Sequence, residues 1–174
     1  MGLHIIIDGY NLIRQSSQLR SIDQQDIQFG REALLNRLAA YKKIKSHKIT
    51  VVFDGIDIRN AESINNVKGI HILYSSKGEI ADTVIRRMST KEREKAVIVT
   101  SDREIIHFVE SQGSTVIQST DFEDKLIMAE YMNMKGTSAE EDDHQGWKKS
   151  TIKKGPSRRL AKKQRKDNKR LEKL

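Results

Sequence analysis

The feature that constrains the fold most is an apolar, largely β-branched run at positions 3–7 (LHIII), which stops at Asp8 and Gly9. Such a run is typical of a strand that is buried on both faces, as in the centre of a parallel sheet. Parallel α/β sheets bind ligands beyond the carboxyl ends of their strands, so Asp8 and Asn11 are expected at a ligand-binding edge. Taken alone, however, Asp8-Gly9 is more typical of a turn that ends a strand.

Strands and helices alternate along the chain up to about residue 134. Apolar runs predict further strands at 49–53, 69–74, 96–99 and 115–117, and amphipathic periodicity predicts helices at 28–44, 79–88, 104–111 and 120–132. Residues 12–26 are expected to form a loop or short helix, and residues 56–69 to be irregular. Ile80 is placed on the buried face of its helix, and Thr120 is predicted to begin a capping box. This alternation indicates a three-layer α/β/α fold with a central parallel sheet of about five strands.

Composition excludes several classes of protein. The chain has no cysteine, so it has neither disulfides nor thiolate metal ligands. No apolar stretch approaches the roughly 20 residues that span a bilayer, and no signal-peptide pattern opens the sequence. We therefore expect a cytoplasmic protein with no membrane partner.

The net charge of +8 comes from one end of the sequence. Residues 146–174 hold 13 Lys and Arg against 2 Asp and Glu, whereas residues 1–145 hold 19 against 22. We therefore predict a domain over 1–134, followed over 135–174 by a polar linker and a basic tail, disordered or helical, that binds RNA. The candidate RNA-binding residues of this tail are Lys148, Lys149, Lys153, Lys154, Arg158, Arg159, Lys162 and Lys163. A solvated tail that only aids solubility is the alternative.

Carboxylates recur where the predicted strands end. Asp8, Asp54 and Asp102 follow three of the strands, and Asp82 lies in the first turn of the helix after another. Parallel strands bring these positions to one edge, where like charges repel unless a proton or a cation lies among them. Hard oxygen ligands without sulfur favour Mg²⁺ or Mn²⁺, which typically act on phosphate esters.

Each of these carboxylates also has an ordinary structural explanation. Asp54 can belong to a turn, and Asp82 can pair with Arg86 four residues later. Ser101 and Glu104 have the spacing of a capping box, which would leave Asp102 as a first-turn acid. The coincidence of all four at one edge favours the metal site.

Four ordered motifs carry a family resemblance: DGYNLI at 8–13, VVFDG at 51–55, SKGEIAD at 76–82 and VTSDRE at 99–104. Over about residues 1–134 the sequence resembles the YacP-like NYN domains, which belong to the PIN-like, metal-dependent ribonuclease superfamily. The resemblance implies a Rossmann-like PIN fold and a Mg²⁺ or Mn²⁺ site. In that site the core carboxylates are Asp8, Asp82 and Asp102, with Asn11 as a further catalytic residue and Asp54, Glu79 and Ser101 in support.

The activity that the resemblance implies is endoribonucleolytic, and its bacterial branch looks like a ribosome-associated enzyme that cuts mRNA during translation. The expected reaction is in-line attack of an activated water on an RNA phosphodiester, with Lys77 or Arg86 steadying the phosphate. The tail is expected to attract ribosomal RNA without sequence preference. A catalytically silent RNA- or ribosome-binding protein of the same fold is the alternative, and a phosphoacceptor receiver domain is disfavoured because it leaves Asp82 and Asp102 unexplained. No oligomeric state is predicted.

Overall fold

The computed structural model describes residues 2–55, 65–75, 78–136 and 162–174. Its strands are β1 (His4–Asp8), β2 (Lys48–Phe53), β3 (Asn65–Val67), β4 (Ile70–Tyr74), β5 (Ala96–Val99) and β6 (Thr115–Ile117). They form one six-stranded sheet in the order β3-β4-β2-β1-β5-β6, in which β3 is antiparallel to β4 and all other neighbours are parallel. The predicted parallel sheet is confirmed, and the short edge strand β3, expected to be irregular, makes the sixth strand.

β1 occupies the centre of the sheet, between β2 and β5, as the apolar run predicts. All five of its residues are buried. Ile5 and Ile7 join the hydrophobic core on one face and Ile6 joins the core on the other, because successive side chains of a strand point to opposite faces. The register aligns Ile6 with Thr50 of β2 and with Ile98 of β5.

Helices cover both faces of the sheet and complete the predicted three layers. The face of Ile5 carries α1 (Gly9–Gln15), α2 (Ser17–Asp23), α3 (Ile27–Ile44) and α6 (Ser119–Gly136), and the face of Ile6 carries α4 (Ala81–Glu92) and α5 (Arg103–Ser111). A short 3-10 turn, Arg93–Lys95, joins α4 to β5. Within the described ranges, no helix is both long enough and apolar enough to cross a membrane.

Two helix starts differ from the sequence-based expectation. The predicted loop or short helix at 12–26 is a pair of helices, α1 and α2, because Asp8 and Ser16 each accept a hydrogen bond from a peptide N–H of the turn that follows. α6 begins at Ser119, so Thr120 lies inside the helix and the predicted capping box is wrong.

α4 also begins later than predicted, at Ala81 instead of residue 79. The cause is a long-range hydrogen bond, in which the peptide N–H of Ala81 donates to Oδ1 of Asp54 at 2.5 Å. Ile80 therefore precedes the helix and is 57% exposed, whereas Val84 is buried as expected.

The C-terminal end of the sequence forms α7 (Lys162–Leu171), which packs against the domain. The expectation of a disordered tail is therefore wrong for residues 162–174, and the helical alternative is confirmed there. Leu174 is only 4% exposed within the hydrophobic core, and its carbonyl accepts a hydrogen bond from the Tyr41 hydroxyl at 2.8 Å. The preceding part of the predicted tail, residues 137–161, lies outside the described residues.

The contacts of α7 place it at the edge of the sheet opposite to Asp8. Arg170 donates to the hydroxyl of Thr115, the first residue of β6, at 2.8 Å. It also pairs with Glu94, which lies just before β5, at 3.2 Å. Both partners stand at the amino ends of parallel strands, whereas Asp8 stands at a carboxyl end. A strand of five residues separates these edges by roughly 15 Å.

Candidate active site

Asp8 ends β1 and caps α1. Its Oδ1 accepts a hydrogen bond from the peptide N–H of Asn11 at 3.2 Å, and its Oδ2 accepts one from the Thr100 hydroxyl at 3.4 Å. Burial raises the pKa of Asp8 to about 6, and the charges of Asp82 and Asp54 add to the rise while the two hydrogen bonds oppose it. The carboxyl group is therefore held in a position where its negative charge is unfavourable without a cation.

Asn11 joins the ends of three strands through one oxygen. Its Oδ1 accepts hydrogen bonds from the peptide N–H of Ser101 at 2.9 Å and from the Ser119 hydroxyl at 2.8 Å. The Ser101 hydroxyl in turn accepts a hydrogen bond from the peptide N–H of Ser119 at 3.2 Å. Asn11 and Ser101 thus fix the loops after β1, β5 and β6 relative to one another, and the supporting role of Ser101 in a reaction stays a prediction.

Asp102 caps α5. Its Oδ1 accepts hydrogen bonds from the peptide N–H groups of Glu104 at 2.8 Å and Ile105 at 3.2 Å. The capping box considered for Ser101 and Glu104 is therefore wrong, because Asp102 is the capping residue. Its own peptide N–H donates to the Thr100 hydroxyl, the same hydroxyl that donates to Asp8. Two hydrogen bonds through the Thr100 hydroxyl therefore connect Asp8 and Asp102.

Asp54 and Glu79 have different surroundings. Asp54 anchors the start of α4 through Ala81 and also accepts a hydrogen bond from the Ser75 hydroxyl at 3.5 Å. Glu79 forms an ion pair with Arg87 at 2.6 Å. Asp54 therefore positions the helix that carries Asp82, whereas the supporting role of Glu79 stays a prediction.

Asp82 lies close enough to the other carboxylates for their charges to change its pKa. Burial raises its pKa, the charges of Asp102, Asp54 and Glu104 raise it further, and the charge of Arg86 opposes the rise. Arg86 lies 3.7 Å from Glu104. The structure therefore brings the predicted aspartates to one carboxyl edge of the sheet, where they form a mutually repelling, electronegative site.

The donor chemistry of this site fits Mg²⁺ or Mn²⁺, but its spacing is loose. Among the described residues, no three Asp, Glu or His side chains lie close enough together to hold a metal ion directly. Helix capping contributes to this loose spacing, because Asp8 and Asp102 each direct one carboxylate oxygen to the start of a helix. The hydrogen bonds of Asp102 to α5 use Oδ1 alone, which leaves Oδ2 for a cation. Carboxylates on several elements that repel one another suit an ion that keeps several of its waters.

The predicted RNA-binding cations fall into three groups. Arg86 lies beside the site, where its charge acts on Asp82. Lys162 and Lys163 belong to α7 at the opposite edge, and Lys163 donates to the carbonyl of Glu110. The others lie outside the described residues, namely Lys77, Lys148, Lys149, Lys153, Lys154, Arg158 and Arg159.

The sequence-based prediction missed an aromatic cluster at the same edge. The ring of Phe53 contacts those of Tyr10 and Tyr74, with centroids 5.2 and 5.9 Å apart. The guanidinium of Arg31 lies over all three rings. Each ring lies at or just beyond the end of a predicted strand, and this shared position in the sequence could have indicated that the three rings are neighbours. Arg31 lies outside the apolar stripe of α3, and its sequence context gives no such signal.

Comparison with known proteins places the chain in a family. The model of the YacP-like NYN domain matches residues 5–172, so the match continues past the last sequence motif and into α7. The uncharacterized protein YacP of Bacillus subtilis strain 168 is 24% identical over 85 residues, which are 49% of this chain and 50% of that protein. The matched segment thus spans about half of that relative's length.

Two crystal structures of Rae1 (YacP) from Bacillus subtilis share the fold. One superposes with a TM-score of 0.66 at 21% identity, covering 79% of this chain and 80% of the other. The second, of a tryptophan-to-leucine mutant of the same protein, gives a TM-score of 0.64 at 18% identity, covering 80% and 86%. The mostly parallel sheet and the three layers agree with the PIN-like fold that the motifs imply. The chain therefore belongs to the YacP-like NYN domain family.

Proposed function

We propose that this protein is a Mg²⁺- or Mn²⁺-dependent endoribonuclease that cleaves mRNA in association with the translating ribosome. The observation that carries the proposal is the mutual repulsion of Asp8, Asp54, Asp82 and Asp102 at one carboxyl edge of a nuclease-type domain. Besides burial, the charges of Asp82 and Asp54 raise the pKa of Asp8, and the charges of Asp102 and Asp54 raise the pKa of Asp82.

The residues that would hold the ion are Asp8, Asp82 and Asp102. When bound, a divalent ion would neutralise charge on the phosphate and lower the pKa of a water molecule. The protein itself orients the carboxylates: the Asn11 amide fixes the loops around Asp8, and the helix caps fix Asp8 and Asp102. Because the pKa of Asp8 is about 6, cation binding and cleavage are expected to increase as the pH rises through that value.

Arg86 is the described cation proposed to meet the scissile RNA phosphate. Its charge acts directly on Asp82, and its guanidinium lies over the ring of Phe108 at 5.4 Å. Stacking of this kind restricts a guanidinium while leaving its edge free for hydrogen bonds.

The basic face of α7 is proposed to bind ribosomal RNA, at the edge of the sheet away from the cleavage site. Lys166 and Arg170 pair with Glu94 and hold the helix in place. Lys162, Arg165 and Lys169 make no ion pair among the described residues. Replacing these three with glutamine should weaken ribosome association without loss of the fold. Undiminished association at physiological salt would contradict this role.

The proposed activity is tested with Asp8→Asn and Asp82→Asn. Both variants should lose metal-dependent RNA cleavage while staying folded and bound to RNA. Asp26→Asn is the matched control, because Asp26 is an exposed aspartate that caps α3 and lies away from the strand ends. Cleavage is measured on mRNA with and without translating ribosomes. Unchanged cleavage by both site variants would refute the assigned site.

The second candidate is a catalytically silent RNA- or ribosome-binding protein. The absence, within the described part of the chain, of three carboxylates close enough to bind one ion favours it. If the wild-type protein binds translating ribosomes and cleaves nothing with Mg²⁺ or Mn²⁺ present, this candidate is correct. Localisation to the cytoplasm is part of either proposal.

A further inference from the structure

Arg31 occupies an unusual position on α3. Its guanidinium carbon lies 5.4 Å from the ring centroid of Tyr10, 5.6 Å from that of Phe53 and 5.4 Å from that of Tyr74. We call these three rings the aromatic box. Cation–π contacts of this kind attract a guanidinium to ring faces, and three such contacts restrain the position of this one.

The aromatic box lies beside the carboxylate site. Tyr10 follows Asp8 by two residues, Phe53 directly precedes Asp54, and Tyr74 is the last residue of β4. All three rings therefore stand at the carboxyl ends of adjacent parallel strands, β1, β2 and β4. An RNA strand whose phosphate reaches the aspartates must pass close to this edge.

Among the residues that the structure describes, the charge of Arg31 has no acidic partner. Its Nε donates to the Tyr10 hydroxyl at 2.8 Å, and Nη2 donates to the same oxygen. In the ranges that the structure describes, no carboxylate lies within ion-pairing distance of this side chain, which is only partly exposed. By contrast Arg37, two turns further along α3, pairs with Glu123 and Glu130. A half-buried cation with no counter-ion among the described residues is suited to receive an anion, since burial has already weakened its interaction with water.

A second guanidinium approaches the same ring. Arg14 on α1 lies 5.8 Å from the centroid of Tyr10, and its side chain is exposed. Tyr10 is therefore contacted by two arginines, at an edge whose neighbouring carboxylates would otherwise repel RNA. Residues 1–145 carry a net negative charge, which repels the RNA backbone. Positive charge close to Tyr10 would offset this repulsion.

We propose that Arg31 binds a backbone phosphate of single-stranded RNA next to the scissile one, and that the aromatic box and the Tyr10 hydroxyl hold its guanidinium for this contact. The inference rests on the proposed function, because it takes RNA as the substrate. Arg31 is thereby a substrate-binding residue distinct from the aspartates. In the competing explanation Arg31 only fastens α3 to the sheet.

The two explanations differ in the salt dependence of RNA binding. Each phosphate contact on a single strand contributes about 0.7 to the slope of log K against log salt concentration. Arg31→Met should lower that slope by about 0.7. Loss of a hydrogen bond between charged groups should also weaken binding about tenfold. Arg31→Lys, which keeps the charge and loses the planar fork, should restore most of the slope. Fluorescence anisotropy of a labelled single-stranded RNA in EDTA measures binding without cleavage.

Arg37→Met is the matched control, because it removes an arginine from the same helix that is already neutralised by glutamates. It should leave the salt slope of RNA binding unchanged, even if thermal unfolding shows that it lowers stability. An affinity and a slope of R31M equal to those of the wild type would overturn the proposal. So would a loss of affinity in R31M with an unchanged slope, since that result indicates a purely structural role.

A further variant covers the case in which R31M does not fold. Tyr10→Phe removes the acceptor that orients Arg31 and keeps every charge, so it should weaken RNA binding about threefold at constant slope. Unchanged affinity of a folded Y10F would then overturn the proposal. Failure of the proposed nuclease activity remains distinguishable: a wild-type protein that cleaves nothing, yet loses RNA binding on R31M substitution, refutes the enzyme and supports the phosphate contact.

Discussion

Replacing Asp8 with asparagine measures how much a buried carboxylate destabilises this fold. The pKa of Asp8 is about 6 in the folded protein, against an ordinary value of 3.8. Below the ordinary value the group is protonated in both the folded and unfolded states, so it imposes no penalty. As the pH rises above the ordinary value, Asp8 ionises in the unfolded chain first. The folded protein therefore loses stability until Asp8 also ionises in the folded state, at about pH 6. A shift of about two units corresponds to about 3 kcal/mol.

Asparagine keeps the oxygen that caps α1, because asparagine and aspartate are comparable helix caps. We therefore expect the free energy of unfolding of D8N to exceed that of the wild type by about 2–3 kcal/mol more at about pH 7.5 than at about pH 4. Urea unfolding in EDTA at several pH values measures it. Asp26→Asn is the control, since exposed Asp26 caps α3 through the peptide N–H of Gln28. If the two variants show the same pH dependence relative to wild type, burial of Asp8 is not destabilising and the reasoning is wrong.

Three further substitutions test the surrounding framework. Gly9→Ala should destabilise the protein by about 1–3 kcal/mol in urea unfolding, because its Cβ would lie 2.3 Å from a ring carbon of Phe53; wild-type stability would contradict this packing. Tyr41→Phe leaves the buried Leu174 carbonyl without its donor and should lower the free energy of unfolding by about 1–2 kcal/mol, whereas no loss would argue against the docked end of the chain. Asn11→Ala removes two hydrogen bonds that join strand ends, so the cleavage rate should fall well beyond any loss of RNA affinity; equal losses in both assays would oppose a positioning role.

Local periodicity and one topological rule were enough to predict the centre of this fold. The apolar run of β1 indicated a strand buried on both faces, and strand–helix alternation indicated parallel neighbours. Together they placed Asp8, Asp54 and Asp102 at one edge without any knowledge of distances. What could not be predicted is contact between distant positions. The bond from Ser119 to Asn11 joins residues 108 positions apart, and no local pattern of either residue encodes it.

The tail is a second example in which contacts between distant residues could not be predicted from the sequence. α7 carries no continuous apolar stripe, so its sequence alone favours a solvated chain. Its contacts with the domain include the buried Leu174, the ion pair of Arg170 with Glu94 and the hydrogen bond of Arg170 to Thr115. Ion pairs between distant residues form only in the folded protein. The basic sequence of the tail therefore predicts a free RNA-binding segment, although Glu94 neutralises part of the charge of α7.

The two explanations available from the sequence for each carboxylate are not exclusive. Asp8 and Asp102 are helix caps, as the ordinary structural explanation holds, and both also take part in the repelling cluster that the metal explanation requires. The reason is geometric, because a carboxylate has two oxygens and the cap of α5 uses only one of those of Asp102. The peptide N–H groups at the helix starts hold the charged side chains in place before any ion arrives. Capping therefore orients the remaining oxygens, and a substitution that preserves the cap, such as Asp to Asn, separates charge from orientation at this site.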